Sequence, residues 1–231
     1  MCEFLKKMIE GKTNFVFVGE AGSGKSEIAI NFAKFLKSMG DKPVHFFDMD
    51  MTKPLFRSRD VIEDIEALGV IFHHEEQFMD APVIVGGVSM CLKDDNCYVV
   101  MDIGGNDIGA RSIGGYAPKV NRDNTAVYYV LNSFRPWSAN IDAVDGTLSA
   151  ILGVSHIRLE NIRLINNPNA GVTTTAEEFL EGLDKMDAMV RPYMPLDFAC
   201  VKEDLYDEVK DRTNVPLFPV HLFLTYPWLL A

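Results

Sequence analysis

One eight-residue segment constrains the fold of this chain more than any other feature. It spans residues 19–26, reads Gly-Glu-Ala-Gly-Ser-Gly-Lys-Ser and fits the pattern G-x-x-x-x-G-K-S. The apolar stretch Asn14–Val18 precedes it, and Glu27–Met39 follows with apolar residues at helical spacing until Gly40. A strand, a glycine-rich loop and a helix in this order form a phosphate-binding loop, because backbone N–H groups and the helix dipole converge on an anion. The alternative, a glycine-rich turn without a ligand, is disfavoured by the complete pattern in this context.

The loop assigns roles to individual side chains. Lys25 is expected to contact the terminal phosphates, and the Ser26 hydroxyl is expected to bind Mg²⁺. The predicted nucleotide-binding residues are Gly19, Glu20, Ala21, Gly22, Ser23, Gly24, Lys25, Ser26 and Glu27.

Strand and helix signals alternate along most of the chain. Further strands are predicted at Val44–Phe47, Cys97–Met101, Thr125–Leu131 and Ile162–Ile165, and helices at Val61–Leu68, Ala139–Leu152 and Ala176–Met189. This alternation predicts an α/β protein with the three-layer P-loop NTPase fold, in which a mostly parallel central sheet of five strands is flanked by helices. Beyond Leu196 the pattern weakens, with a candidate helix at Glu203–Lys210 and a short strand or turn at Pro216–Pro219. We expect a single domain over residues 1–231, with residues 215–231 as a C-terminal tail.

Acidic residues stand at two predicted strand ends. Asp48 and Asp50 follow the second strand, and Asp102 follows Val99-Val100-Met101 as a Walker B carboxylate would. Ligands bind at the carboxyl edge of such sheets, so these side chains are expected to face the phosphates. We assign Asp48 and Asp102, with Ser26, to Mg²⁺, and Lys25 and Asp50 to catalysis. A solvated acidic turn is the alternative for the first pair.

Charge and composition exclude several classes of function. The formal net charge is −11, from 22 Lys and Arg against 33 Asp and Glu, so we expect no nucleic-acid partner. No apolar run reaches the ~20 residues of a membrane-spanning helix. The four cysteines form no C-x-x-C pair and no signal peptide is evident, which favours a reducing cytoplasm.

Together the three motifs resemble the MinD/ParA branch of the SIMIBI class of P-loop ATPases, which also holds ArsA, the nickel chaperone CooC and the nitrogenase iron protein. The similarity covers roughly the first two-thirds of the chain. It implies that Asp50 positions the hydrolytic water and that the D-x-G-G segment from Asp102 acts as a switch. It also implies that Asn166 and Asn167 read adenine, since the GTPase signature N-K-x-D would require lysine at 167 and aspartate at 169.

One residue departs from the family pattern. The family's signature lysine, which reaches the partner subunit's phosphates in an ATP-sandwiched dimer, would stand where this sequence has Glu20. A carboxylate beside a triphosphate is repulsive, so either Glu20 turns out to solvent or another cation compensates. The candidate cations that could compensate Glu20 are Lys53, Arg57, Arg59 and Arg111.

These observations predict a Mg²⁺- and ATP-binding switch that hydrolyses ATP slowly and acts on an unidentified protein partner, with homodimerisation left open. Slow turnover is expected because no arginine finger is evident, and such a finger contributes roughly 10³- to 10⁵-fold. A small-molecule kinase or ATP-dependent ligase on the same fold, and a nucleotide sensor that does not hydrolyse, are the alternatives.

Two clusters of potential metal-ligand residue types are interpreted as structural rather than metal-binding. Residues 73–76 read His-His-Glu-Glu, but adjacent residues of an extended segment point to opposite faces, which favours a solvated loop. Cys91 and Cys97 match no zinc or iron–sulfur spacing and are interpreted as packing residues.

Overall fold

The central element of the fold is a single parallel β-sheet. The computed structural model describes residues 2–50, 58–74 and 87–225. The strands within them are β1 (Asn14–Val18), β2 (Val44–Met49), β3 (Ile71–His73), β4 (Tyr98–Ile103), β5 (Thr125–Leu131), β6 (Ile162–Asn166), β7 (Leu196–Lys202) and β8 (Leu217–Val220). They lie in the order β3-β2-β4-β1-β5-β6-β7-β8, and every neighbouring pair is parallel.

Helices connect these strands and cover both faces of the sheet. The α-helices of the described residues are α1 (Cys2–Met8), α2 (Lys25–Met39), α3 (Ile62–Ala67), α4 (Val88–Cys91), α5 (Asn106–Gly114), α6 (Ala117–Val120), α7 (Ile141–Ser155), α8 (Ala176–Val190) and α9 (Tyr206–Val209). Short 3₁₀ helices span Ser58–Val61, Pro136–Ser138 and Leu159–Asn161. None of the helices in this part of the chain has the length and hydropathy needed to cross a bilayer.

Local sequence explains where the longer helices begin and end. Helix α2 ends at Gly40, whose φ of 75° is readily adopted only without a Cβ. Helix α8 begins with a capping box, in which the Thr175 hydroxyl accepts from the Glu178 N–H and the Glu178 carboxylate accepts from the Thr175 N–H. Asn140 caps α7 by accepting from Ala143 N–H.

Two apolar layers, one on each face of the sheet, form the core. On the face of α2, the rings of Phe15, Phe17, Phe32 and Tyr128 contact one another with centroids 4.9–5.8 Å apart. The other face packs under α5, α7 and α8. Because both faces are covered, β1, β4 and β5 are buried at every position, as expected of central parallel strands.

The predicted α/β, three-layer P-loop NTPase fold is confirmed, with corrections of detail. The sheet is parallel throughout the described residues rather than mostly parallel, and it has eight strands rather than five. Strands β3 and β7 were not anticipated, and the segment expected as a short strand or turn at Pro216–Pro219 overlaps β8, which begins at Leu217. The helix expected at Ala139–Leu152 runs over Ile141–Ser155, and the one expected at Glu203–Lys210 is limited to Tyr206–Val209. Residues 226–231 of the expected tail lie outside the described residues.

Candidate functional site

The phosphate loop follows β1, which lies between β4 and β5 in the sheet. Gly19, Gly22 and Gly24 have φ values of 141°, 76° and 92°. A Cβ at Gly24 would lie 2.2 Å from Asn167 Nδ2, and one at Gly19 would lie 2.7 Å from Val130 O. Gly19 and Gly24 therefore must be glycine, both because of their backbone conformation and because Val130 O and the Asn167 side chain approach them closely.

Lys25, the first residue of α2, is fully buried within the loop. Its Nζ donates to Glu20 O at 3.1 Å, so the ammonium group is held inside the curve of the loop. Ser26 is also buried, and the Ser23 hydroxyl is buried without a hydrogen-bond partner in the described structure. A cation and an unsatisfied hydroxyl in one loop are suited to an anionic ligand that accepts hydrogen bonds.

Three side chains from the segment after β5 bind the outer side of this loop. Arg135 Nε donates to Gly22 O at 3.1 Å, Trp137 Nε1 donates to Ala21 O at 3.2 Å, and Asn132 Nδ2 lies 3.4 Å from Gly22 O. These donors bind the carbonyl groups of the loop and thereby help to fix its backbone. Sequence reasoning left this segment without a role.

The three predicted carboxylates lie together at the carboxyl ends of adjacent strands. Asp48 and Asp102 are paired in register between β2 and β4, and Asp102 is also paired with Phe17 of β1. All three carboxylate residues are buried, with Asp50 1% exposed. Asp48 and Asp102 thus lie within their strands, which extend further than the sequence indicated.

Two further side chains, from Ser58 and Arg59, complete this cluster of carboxylates. Ser58 Oγ donates to Asp102 Oδ2 at 2.8 Å. Arg59 Nε donates to Asp48 Oδ2 at 2.8 Å, and Arg59 Nη2 donates to Asp50 O at 3.1 Å. The backbone N–H of Asp50 donates to Asp48 Oδ1 at 3.0 Å. Ser58 was not anticipated from the sequence, because a serine after a variable loop carries no motif of its own.

The cluster suits a divalent cation at Asp102. Its Oδ1 atom is buried and has no hydrogen-bond partner in the described structure, although a buried carboxylate oxygen is costly to leave unsatisfied. Oxygen ligands of this type are those that Mg²⁺ prefers. Asp48 differs, since both of its oxygens already accept hydrogen bonds from Asp50 and Arg59.

Burial, together with the negative charge of Asp102, raises the pKa of Asp48. Arg59 and the Asp50 N–H act in the opposite direction by stabilising the ionised form. Arg59 therefore keeps two adjacent buried carboxylates compatible in the absence of a further cation. This use of Arg59 differs from the expectation that it compensates Glu20.

A cavity of about 620 Å³ opens beside the phosphate loop. It is lined by Gly22, Gly24 and Ser26, by residues 169–172 after β6 and by Leu222 and Leu224 after β8. Its volume is typical of a site for a small organic ligand. The arrangement places a roomy, partly apolar cavity next to a phosphate-binding loop, as a nucleotide requires.

The asparagines after β6 have separate positions. Asn167 lines the cavity and its Nδ2 donates to Ser23 O at 2.9 Å, so it holds the loop. Asn166 is fully buried, with its side chain directed to Ser133 and to Gly182 O of α8, and it does not line the cavity. Asn169 does line it, and its Oδ1 accepts from Gly171 N and Thr174 Oγ1.

Glu27 shapes the cavity from the first turn of α2. Its carboxylate accepts from Phe223 N at 2.6 Å and from Leu224 N at 3.0 Å, and it thereby fixes the segment that follows β8. Asn31, one turn later, donates to His221 O and accepts from His221 N. Burial raises the pKa of Glu27 to about 7 despite the two backbone donors, which favour the ionised form.

The raised pKa of Glu27 predicts how the free energy of unfolding depends on pH. Between pH ~4.5 and ~7 the unfolded chain releases the Glu27 proton while the folded chain retains it, so the free energy of unfolding falls as pH rises. The loss amounts to about 3 kcal/mol at 1.36 kcal/mol per pKa unit. Glu27→Gln should remove this component of the slope in denaturant unfolding across the window. Glu181→Gln, at an exposed position of α8, should leave the slope as in the wild type, and an identical slope in Glu27→Gln would contradict the assignment.

The cations proposed to compensate Glu20 lie in different places. Arg111 is exposed and lies 3.7 Å from Asp107, one turn earlier in α5. Lys53 and Arg57 lie outside the described residues. Arg135, which sequence reasoning did not propose, contacts the loop itself at Gly22.

Comparison with known proteins identifies the fold. No protein-family model and no curated protein matches the chain. Solved structures do match: the cell division protein FtsY of Thermotoga maritima (TM-score 0.55, 16% identity) and the 54 kDa signal recognition particle protein of Aeropyrum pernix K1 in complex with GDP (TM-score 0.52, 18% identity). FtsY of Elizabethkingia anophelis, also in complex with GDP, matches at a TM-score of 0.52 and 16% identity.

These structures are longer than the chain. It is covered over 82–83% of its own length by the three, but it spans only 41%, 62% and 57% of the Aeropyrum, Thermotoga and Elizabethkingia chains. At such low identity the likeness shows the fold alone. The SIMIBI class, the MinD/ParA branch and a relation to ArsA or CooC stay predictions. The chain therefore has the P-loop NTPase fold seen in the signal recognition particle protein and in FtsY.

Proposed function

We propose that this chain is a Mg²⁺-dependent ATPase of the MinD/ParA type that acts as a nucleotide-controlled switch for a protein partner. The observation that carries the proposal is the buried group of Lys25, Asp50 and Asp102 at the carboxyl ends of β1, β2 and β4, with an unpartnered oxygen on Asp102. A buried lysine in the phosphate loop, with buried carboxylates at the carboxyl ends of nearby strands, is suited to a charged ligand that brings a metal ion.

Each side chain has a distinct role in this mechanism. Lys25 exchanges its bond to Glu20 O for the terminal phosphates, and the loop N–H groups bind the oxygens between them. Ser26 and Asp102 would hold Mg²⁺ directly. Asp48, whose oxygens accept from Arg59 and from the Asp50 N–H, would contact the ion through metal-bound water. When bound, Mg²⁺ neutralises the charge that develops on the phosphates. Asp50 orients the attacking water and accepts its proton.

The switch depends on the segment that follows β4. A Cβ at Gly104 would lie 3.0 Å from Asp50 Oδ1, and a Cβ at Gly105 would lie 2.8 Å from Ala21 N. This segment is thus packed directly against both the catalytic carboxylate and the phosphate loop. A γ-phosphate that enters between them must displace it, and the displacement is transmitted to α5.

Exposed apolar residues beside the loop indicate where a partner binds. Trp137, 42% exposed, contacts Ala21 O, and Ile108 of α5, 63% exposed, lies three residues after Gly105. Large exposed apolar side chains next to a switch are typical of a protein-binding surface. A second copy of this chain is one such partner, with Arg135 as the cation that offsets Glu20 at the loop.

The residues after β6 support ATP as the proposed nucleotide. Asn169 Oδ1 accepts from Gly171 N within its own loop, so this side chain presents its N–H donors to a base. A donor matches the N1 acceptor of adenine, whereas guanine has an N1–H donor at the same position. Guanine nucleotide is the second candidate, because two of the structurally similar proteins hold GDP.

Hydrogen exchange tests the switch. Residues 103–114 should exchange differently with a non-hydrolysable Mg-ATP analogue than with Mg-ADP, because only the former has a γ-phosphate. A solution mass that doubles with the analogue alone would identify a second copy as the partner. Identical exchange in both states would contradict the switch and favour a sensor. ATP consumption that requires a small-molecule acceptor would favour a kinase or ligase.

A further inference from the structure

A cluster of sulfur and nitrogen ligands lies at the opposite edge of the sheet from the phosphate loop. His45 is near the start of β2, Cys97 directly precedes β4, and Cys91 is the last residue of α4. One ligand atom from each of these three residues lies within 4.8 Å of the other two. The spacing in the sequence conceals the cluster, because Cys91 follows His45 only after 45 intervening residues.

Strand register explains why the three side chains meet. His45 is paired with Val99 across β2 and β4, so Cys97, two residues before Val99, is its diagonal neighbour on the same face. Helix α4 lies over this face, with Val88 and Leu92 in the apolar layer that contains Cys97. The tight turn between α4 and β4 then brings Cys91 back to Cys97.

Local contacts hold the ligands in place. Cys97 is buried, and its Sγ lies 3.5 Å from Asp94 O and 3.7 Å from Cys91 O, which fixes the thiol within the turn. His45 Nδ1 lies 2.9 Å from His73 Nε2, and the two rings are stacked with centroids 5.1 Å apart. The His45 ring is therefore restrained by its neighbour, as ligating histidines commonly are.

We propose that Cys91, Cys97 and His45 form a Zn²⁺ site that joins the α4–β4 turn to β2. Two sulfurs and one imidazole nitrogen are the ligand types that select Zn²⁺ over Mg²⁺. Around a tetrahedral ion with Zn–S bonds of about 2.3 Å, ligand atoms are about 3.5–3.8 Å apart, so the present separations close with shifts below about 1.5 Å. Three protein ligands leave the fourth position to water.

Metal binding to the full chain under reducing conditions tests this site. One Zn²⁺ per chain should bind in competition with a chromophoric chelator, and Co²⁺ in its place should give a thiolate-to-cobalt charge-transfer band with the intense visible bands of tetrahedral Co²⁺. Cys91→Ser and Cys97→Ser should each weaken Zn²⁺ binding at least ~100-fold and abolish the charge-transfer band. Cys200→Ser, at a buried position of β7 on the other face of the sheet, is the matched control and should retain both.

A variant of His73 distinguishes residues that bind the metal from a residue that supports one of its ligands. His73→Phe should weaken binding about 10- to 100-fold, as loss of a supporting residue does, while the stoichiometry stays at one. Far-ultraviolet circular dichroism verifies that each variant is folded. Zn²⁺ binding that is unchanged in both cysteine variants would overturn the proposal. So would a Cys91–Cys97 disulfide that persists under reductant and prevents Zn²⁺ uptake.

Discussion

Lys25→Ala is expected to weaken Mg-ATP binding about 10- to 150-fold, the equivalent of losing one hydrogen bond between charged groups. The ammonium group is fully buried and held at the centre of the loop by Glu20 O, so no other described lysine can replace it there. The effect on turnover should be larger, about 10²- to 10³-fold beyond the loss of affinity, because charge on the phosphates increases in the transition state.

Calorimetry and steady-state kinetics measure these two effects separately. Lys185→Ala, which removes an exposed lysine from α8, is the matched control and should leave affinity and rate unchanged. Thermal unfolding without nucleotide shows whether Lys25→Ala is folded. A folded Lys25→Ala protein with wild-type affinity and rate would show that the phosphates bind elsewhere.

Asp50→Ala should abolish hydrolysis while nucleotide binding persists. Asp50 is buried beside Gly104, where a water that attacks the γ-phosphate must be oriented, and loss of such a group typically costs about 10²- to 10⁴-fold. Affinity for Mg-ATP should change by less than about 3-fold, or increase slightly, because a negative charge beside the triphosphate has been removed.

The control for this variant is Asp184→Ala, at an exposed position of α8. Single-turnover phosphate release with radiolabelled ATP gives the rate, and filter binding of the same mixture gives the affinity. Asp50→Ala hydrolysing at the wild-type rate would remove Asp50 from the chemistry. Loss of binding together with hydrolysis would instead make Asp50 a ligand of the nucleotide or its metal.

Much of the fold was predictable because its determinants are local. The phosphate loop, the apolar strand before it and the amphipathic helix after it all lie within 26 residues, and each constrains the others. Strand β7 escaped prediction because Asp197 interrupts its apolar run, and its position depends on pairing with β6 and β8. Strand β3 has only three residues, too few for a periodic pattern to emerge.

The residues of the candidate site also fall into those that local motifs predict and those that only long-range contacts reveal. Motifs identified Lys25, Asp50 and Asp102, since their spacing from strands and glycines is fixed along the chain. Arg135 and Ser58 were not identified, because their roles arise from contacts with loops that are far away in the sequence. Glu20 illustrates the limit of motif reasoning: Arg135 was not among the candidate cations that the sequence offered, and only the structure located it at the loop.

The measurement that tests the central claim most directly is phosphate release by the wild-type chain from ATP and from GTP, each with Mg²⁺ and with excess EDTA. The account predicts slow hydrolysis of ATP that requires Mg²⁺, is lost in Lys25→Ala and exceeds hydrolysis of GTP. Faster hydrolysis of GTP would overturn the adenine assignment and leave the switch intact. No Mg²⁺-dependent binding or hydrolysis of either nucleotide would contradict the account as a whole.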